Sequence, residues 1–418
     1  MGTVFKDGPS LMVIGRLIAT SLSFITAPII ARAIGPEGRG ETASALAVFY
    51  LVPIVLAFGV PMEIRRLSAA DNGGAPVVVA RLFALSSTLV AVPVALICSE
   101  TVFQSFSDQA NFVATLGVAT SPLTILWMND TSVFIALGKF RAIAILQIVQ
   151  PVIYLAGTLY FYARGSLSVE TVLAAYLTGN FAVAVLGWVM VARVPRVRGP
   201  RLVRLLHSST KYSGSAIAEA ASNRLDQVLM IPVLGVYQSG LYAVAVTVAS
   251  IPAVLGQALG AVHFRAVAQA PVGARSRVLE VGIRDGIALG LISVPLVGLG
   301  AVLGVPLLFG TGFREAVPAT VVLSVGTGLT IAAYVTSMML GASGRGWLMT
   351  FAQLTALAVG MLALFALGPS FGAVGAAVAS VVSALSLMLT LLLRGNMAKY
   401  VTLPKLSDVR SAIRRLLD

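Results

Sequence analysis

At 418 residues the chain is 58% hydrophobic and 11% charged, with a mean hydropathy of +0.94 and a net charge of +13. A soluble domain carries about 25% charged residues, so these values exclude one. Apolar runs of about 20 residues, enough to cross a hydrocarbon core of about 30 Å as helix, predict an all-α polytopic membrane protein rather than a barrel of short alternating strands. The single cysteine, Cys98, excludes an intramolecular disulfide and a cysteine-based metal site.

The first half holds six predicted helices, at 10–34, 42–64, 76–98, 111–137, 142–163 and 171–192. The N-terminal run contains Arg16 and shows no small-residue cleavage site, so it is expected to remain as the first span. Arg16 shares a helical face with Thr20 and Ser23. It could serve as a cation for an anionic ligand, or snorkel to the interface from the end of its helix. Glu63 precedes Arg65 and Arg66 at a helix end and reads as an interface residue. Asp130, between Asn129 and Thr131 in the fourth helix, could meet Arg16 or Arg224, hold a proton or cation, or sit in a polar kink.

A basic linker with Pro195 and Pro200 follows, and then six more predicted helices at 212–234, 238–263, 279–309, 316–340, 346–367 and 372–393. The seventh helix carries Glu219, Ser222, Asn223 and Asp226 on one stripe, with Arg224 about 160° from Asp226 at about 100° per residue. Charges at membrane depth cost about 2.5–3.5 kcal/mol each, so they turn inward and are functional candidates. Arg224 would bind a phosphate group, and Glu219 or Asp226 would hold a proton or cation; alternatively all three pair with other helices and fix packing. A Gly-bounded turn, Gly235 to Gly240, leads into the eighth helix. His207 and His263 have no metal-ligand companions, and Gly300, Gly304 and the GAVGAA stretch at 372–377 suggest close helix packing. After Pro404, apolar residues at helical spacing opposite Lys405, Arg410, Arg414 and Arg415 suggest an interfacial amphipathic helix.

With the N-terminus in the cytoplasm, inward segments hold 23 of the 29 Lys and Arg, and outward loops only Arg39, Arg164 and Arg314. That alternation satisfies the positive-inside rule, so the basic charge is mostly topological and calls for no nucleic acid. Gly35, Gly40, Ala43 and Ala45 recur 200 residues later as Gly235, Gly240, Ala243 and Ala245, and Leu137, Gly138 and Arg141 resemble Leu340, Gly341 and Arg345. Six crossings return the chain to the same side, so the halves are expected to be parallel repeats. The expected organisation is an N-terminal lobe at 1–192, a cytoplasmic linker at 193–211, a C-terminal lobe at 212–393 and a cytoplasmic tail at 394–418. No nucleotide-binding loop is present and the outer loops are too short for a catalytic domain, so neither an enzyme nor a cofactor is expected.

Four patches, 25–48, 134–155, 223–245 and the set 307–317, 339–346 and 371–380, resemble the O-antigen type polysaccharide flippases. Their superfamily also holds multidrug and toxin extruders and lipid II flippases. The resemblance implies a MATE-like fold of twelve transmembrane helices in two lobes around a V-shaped cavity. It implies transfer of a polyprenyl-pyrophosphate-linked oligosaccharide from the cytoplasmic to the outer leaflet of a bacterial plasma membrane. It also implies membrane lipid, an H+ or Na+ coupling ion, and polysaccharide polymerase or assembly proteins as partners. Arg16 and Arg224 fit the family's cationic cavity. Two alternatives are an ion-coupled exporter of small amphipathic cations, in which the acids would dominate, and a membrane enzyme, which would want catalytic groups on larger loops.

Overall fold

A computed structural model of the chain describes residues 9–70 and 74–402, with a few side chains, including that of Glu219, outside the description. The amphipathic tail helix expected after Pro404 lies outside the described residues. Among these, the regular structure is helical apart from one isolated parallel bridge between Ala75 and Arg196. Helix suits apolar chain in lipid, since it satisfies its backbone N–H and C=O groups internally.

The chain divides into two compact units, Met1–Pro232 and Val233–Asp418. The first contains α1 (Pro9–Ala57), α2 (Val60–Ala70), α3 (Val77–Ser86), α4 (Thr88–Thr101), α5 (Asp108–Ala119), α6 (Ser121–Ala136), α7 (Phe140–Ala163), α8 (Val169–Val191) and nearly all of α9 (Leu202–Leu234). Its interior is built from buried side chains such as Ile64, Phe83, Ile125, Phe134 and Leu205. The second contains α10 (Val236–Ala249), α11 (Ala253–Gln269), α12 (Arg275–Phe309), α13 (Ala316–Ala342) and α14 (Gly346–Arg394), around Leu259, Ile283, Met339 and Leu391.

Among the described residues seven helices are long and apolar enough to cross a membrane, or nine if α5 with α6 (bent by 41°) and α10 with α11 (bent by 45°) each form one span. Two of the seven, the 47-residue stretch Leu11–Ala57 and the 49-residue Gly346–Arg394, are about twice the length a crossing needs. Both break internally, at Gly35 (φ 70°, ψ −175°) and Gly372 (φ 56°, ψ −136°). At the second break the Gln238 side chain accepts from the Ala373 amide at 2.9 Å, capping the resumed helix.

The sequence repeat is a repeat of backbone conformation. Gly35 and Gly235 adopt nearly the same positive-φ extended geometry, the second at φ 80°, ψ 169°, which a Cβ disfavours. A single glycine therefore does what a six-residue turn was expected to do, and helix resumes at Pro36 and at Val236. Proline suits the first helical position, where its missing N–H is not needed. One consequence corrects the sequence reading: Arg39 stands on a helix, not in an outward loop. The second repeat signal shifts in register. Gly138 (φ 65°) ends α6 with Lys139 N–H donating to Phe134 O, and the same closure occurs at Gly344 (φ 79°), with Arg345 N–H donating to Leu340 O. Gly138 thus answers to Gly344 rather than Gly341, a slip of about one helical turn.

Helix α9 begins at Leu202 rather than near 212, and upstream the linker backbone is held to Ala75 through Pro195 O (3.0 Å) and Val197 N (3.1 Å). Close packing by glycine holds at Gly372 and Gly375, where a Cβ would press on Gln238 and on the Leu367 backbone, but not at the other two expected places. Gly300 and Gly304 face open space, whereas α12 and α13 meet at Gly290 and Gly328, where any Cβ would press on the opposite backbone.

Candidate functional site

The break at Gly35 brings Arg39 inward. Only 8% of it is exposed, and it lies within electrostatic reach of the Tyr154 phenol on α7 and the Arg224 guanidinium on α9. Arg224 is exposed, donates to Gln227 Oε1 at 2.9 Å, and sits over the Tyr50 ring at 5.4 Å. Tyr176 on α8 completes the wall, edge-on to Tyr154 at 5.6 Å and 5.9 Å from Phe49. Tyr176 also lies within electrostatic reach of Arg224. The sequence thus folds two guanidinium groups and an aromatic wall into one region of the first unit. Two like charges repel, and more strongly as the dielectric falls. A dianionic phosphate group between them would relieve that repulsion through charge-assisted hydrogen bonds.

Arg39 is the functional candidate that the sequence reading missed, because position 39 followed a glycine and counted as loop. The available signal was its place four residues beyond a Gly–Pro break, where a helix restarts. Arg16 is not part of this cluster's described contacts. It stands about 28 Å back along the α1 axis from Gly35, at 1.5 Å per residue, exposed among the exposed Val13, Ile14, Leu17 and Ile18. The hydroxyls of Thr20 and Ser23 donate back to carbonyls of their own helix, at Arg16 O and Ala19 O. Asp226 is half-buried on α9 and is not without partners. The Glu219 side chain lies outside the described residues.

Asp130 meets neither Arg16 nor Arg224 but Arg81. The Arg81 Nη2 atom lies 2.9 Å from Asp130 Oδ1 and 3.1 Å from Oδ2, and the guanidinium stacks 4.3 Å from the Trp188 ring centre. Both partners are buried. The reason is positional: Arg81 faces α6 across the α3–α6 contact, and Asp130 is the acid on that face. An arginine inside the apolar run VVVARLFAL is the signal, and Arg81 is one of the 23 basic residues that the positive-inside pattern places in inward segments. The second unit holds its own buried pair, His263 Nε2 to Asp285 Oδ2 at 3.1 Å, so His263 has a carboxylate partner that spacing did not suggest. Among the described residues no group of three or more His, Cys, Asp or Glu could hold a metal ion.

On α2, outside the apolar spans, Glu63 is bound by Arg66 at 2.7 Å and lies 3.8 Å from Lys211 of α9. The hydrogen bond from Arg66 holds the Glu63 carboxyl below its usual range.

Comparison with known proteins places this architecture. Residues 5–264 match the family described as Polysaccharide biosynthesis protein. A search of curated protein sequences returns no match. Among solved structures, the chain is similar to an inward-facing multidrug resistance MATE family transporter of the MOP superfamily, with TM-score 0.72 and 14% identity over 93% of this chain and 98% of that one. It is similar to the lipid II flippase MurJ in an inward closed conformation, with TM-score 0.69 and 12% identity over 98% and 91%. An outward-facing MATE transporter of the same superfamily matches at TM-score 0.59 and 16% identity over 94% and 95%. At such identities these likenesses establish the fold.

Proposed function

The chain belongs to the Polysaccharide biosynthesis protein family, and on that premise we propose that it is a flippase. Its cargo would be a polyprenyl-pyrophosphate-linked oligosaccharide, carried from the cytoplasmic to the outer leaflet for cell-surface polysaccharide synthesis. The observation that carries this reading is the convergence of Arg39 and Arg224 against Tyr50, Tyr154 and Tyr176. Pyrophosphate is recognised by guanidinium groups, and tyrosines present apolar faces with a polar tip to sugars. Arg16, at the other end of the first span, would meet the same headgroup at a different stage.

The proposal keeps twelve crossings, with α1 and α14 counted as two each and α9 as one more. It keeps a six-helix lobe at 1–192, a linker at 193–211, a second lobe at 212–393, and a tail at 394–418 with both termini cytoplasmic in a bacterial plasma membrane. Transport would run by alternating access of the two lobes. Asp226, Glu219 and Asp130 are the acids proposed to couple it to H+ or Na+, and polysaccharide polymerase or assembly proteins are the proposed partners. The MATE likeness and the half-buried Asp226 also support an ion-coupled exporter of small cations as a second reading.

A liposome assay separates the two. A fluorescent polyprenyl-pyrophosphate disaccharide placed in one leaflet should become accessible in the other only when the protein is present. Accumulation of a cationic dye without lipid flipping would overturn the flippase reading in favour of the exporter.

A further inference from the structure

A cavity of about 250 Å³ lies in the first unit beside the break between α1 and α2. Ile54, Met62, Trp127 and Met128 give it apolar walls, and Arg65 and Thr131 supply polar groups. Arg65 is half-buried, and its Nε is buried with no hydrogen-bond partner; the Thr131 hydroxyl is likewise buried and unpartnered. No carboxylate neutralises Arg65 among the described residues. The nearest acid in sequence, Glu63, is about 200° away around the helix at about 100° per residue and is already engaged by Arg66 and Lys211. Burial pushes the Arg65 guanidinium down from the ordinary arginine value, with no opposing charge, yet an arginine stays protonated in proteins. The result is a permanent cation at the mouth of an apolar pocket, beside an idle hydroxyl.

An unneutralised, partly desolvated cation is unfavourable until an anion arrives. The walls state the rest of the ligand's chemistry. Two methionines are adaptable apolar surfaces, and the Trp127 ring is fixed by its indole N–H donating to Asn180 Oδ1 at 2.9 Å. The volume is worth about eight waters at about 30 Å³ each. That admits a phosphate and the first carbons of a chain. We propose that this cavity binds the phosphate head and adjoining carbons of an anionic lipid, with Arg65 and Thr131 on the phosphate and the chain leaving over Met62 and Met128. The residues lining this pocket are not those of the Arg39–Arg224 cluster, and the proposal stands whichever substrate the transporter carries. Two sources offer this chemistry, a bilayer phospholipid and a free polyprenyl phosphate.

The test is native mass spectrometry of the full chain released from phosphatidylcholine nanodiscs doped with phosphatidylglycerol or with undecaprenyl phosphate. The wild type should retain one anionic lipid. Arg65→Gln removes the cation and Met128→Trp fills the pocket while leaving the cation in place. Each should lower that occupancy about ten-fold, as loss of a charged hydrogen bond or of the pocket implies. Arg277→Ala, which removes an exposed basic residue elsewhere, should change it less than about two-fold. Retention of phosphatidylglycerol alone identifies a phospholipid as the occupant, and retention of undecaprenyl phosphate alone identifies the carrier. Wild-type occupancy in both pocket variants, or an equal loss in Arg277→Ala, would overturn the proposal.

Discussion

The first unit contains two arginine clusters that fold treats oppositely. Arg81 is buried with Asp130 2.9 Å away and Trp188 stacked on it, so its charge is matched within the protein. Arg39 and Arg224 instead lie within electrostatic reach of each other, with Tyr50, Tyr154 and Tyr176 around them. The first arrangement fixes helices α3, α6 and α8; the second gathers two guanidinium groups and three tyrosines in one region of the unit, where we propose that the headgroup binds. The contrast teaches that an arginine at membrane depth is not by itself a substrate residue: what stands opposite it decides.

The largest expected effect breaks the matched cluster. Asp130→Asn leaves the Arg81 guanidinium buried without its counter-charge and should destabilise the protein by about 3–5 kcal/mol, read as a fall in thermal unfolding temperature in detergent. The double change Arg81→Met with Asp130→Leu should recover most of that loss, since an apolar pair of similar size avoids the desolvation penalty. If the recovered variant still flips lipid, Asp130 serves packing; if it is stable but inactive, Asp130 couples transport. A smaller effect is expected in the second unit, where Asp285→Asn keeps an amide that can still hydrogen-bond His263. About 1–3 kcal/mol is expected there, from the same melting experiment. A drop as large as that of Asp130→Asn would remove the distinction between the two pairs.

Some of this arrangement was legible in the sequence. The helical class, the internal repeat and the candidacy of Arg224 followed from hydropathy, from the 200-residue spacing of Gly35 and Gly235, and from a charge set in an apolar run. Arg39 was not legible, because a positive-φ glycine followed by proline looks alike whether it opens a loop or a one-residue break. Arg81 is not among the partners that the sequence offers Asp130, because helical periodicity gives the face a residue occupies but not the helix opposite it. The break at Phe58–Gly59 (φ 47° and 75°) was likewise hidden inside one apolar stretch.

The second matched arginine, Arg66, offers a pH test. Glu63 is held below its ordinary value of 4.5, chiefly by the Arg66 hydrogen bond. A depressed carboxylate contributes stability that is present above its unfolded value and is lost as pH falls through the folded one. The α2–α9 tether should therefore be indifferent to pH from neutrality down to about 4.5 and weaken only below it. Glu63→Gln should abolish that acid-side loss, measured by limited proteolysis of the basic linker. The smallest effect is expected from Arg16→Ala, whose exposed charge has no carboxylate within ion-pair distance among the described residues. Its melting temperature should match the wild type, and binding should fall by no more than about three-fold.

The most direct measurement is equilibrium binding of a polyprenyl-pyrophosphate disaccharide to the protein in lipid nanodiscs, with a cationic dye as the competing ligand. Wild type, Arg224→Ala and Asp226→Asn would be compared at equal thermal stability. The account predicts that Arg224→Ala weakens pyrophosphate-lipid binding by about 10–100-fold, the worth of a charged hydrogen bond, while Asp226→Asn leaves it in place and the dye does not bind. Dye binding that depends on Asp226 and is indifferent to Arg224 would contradict it.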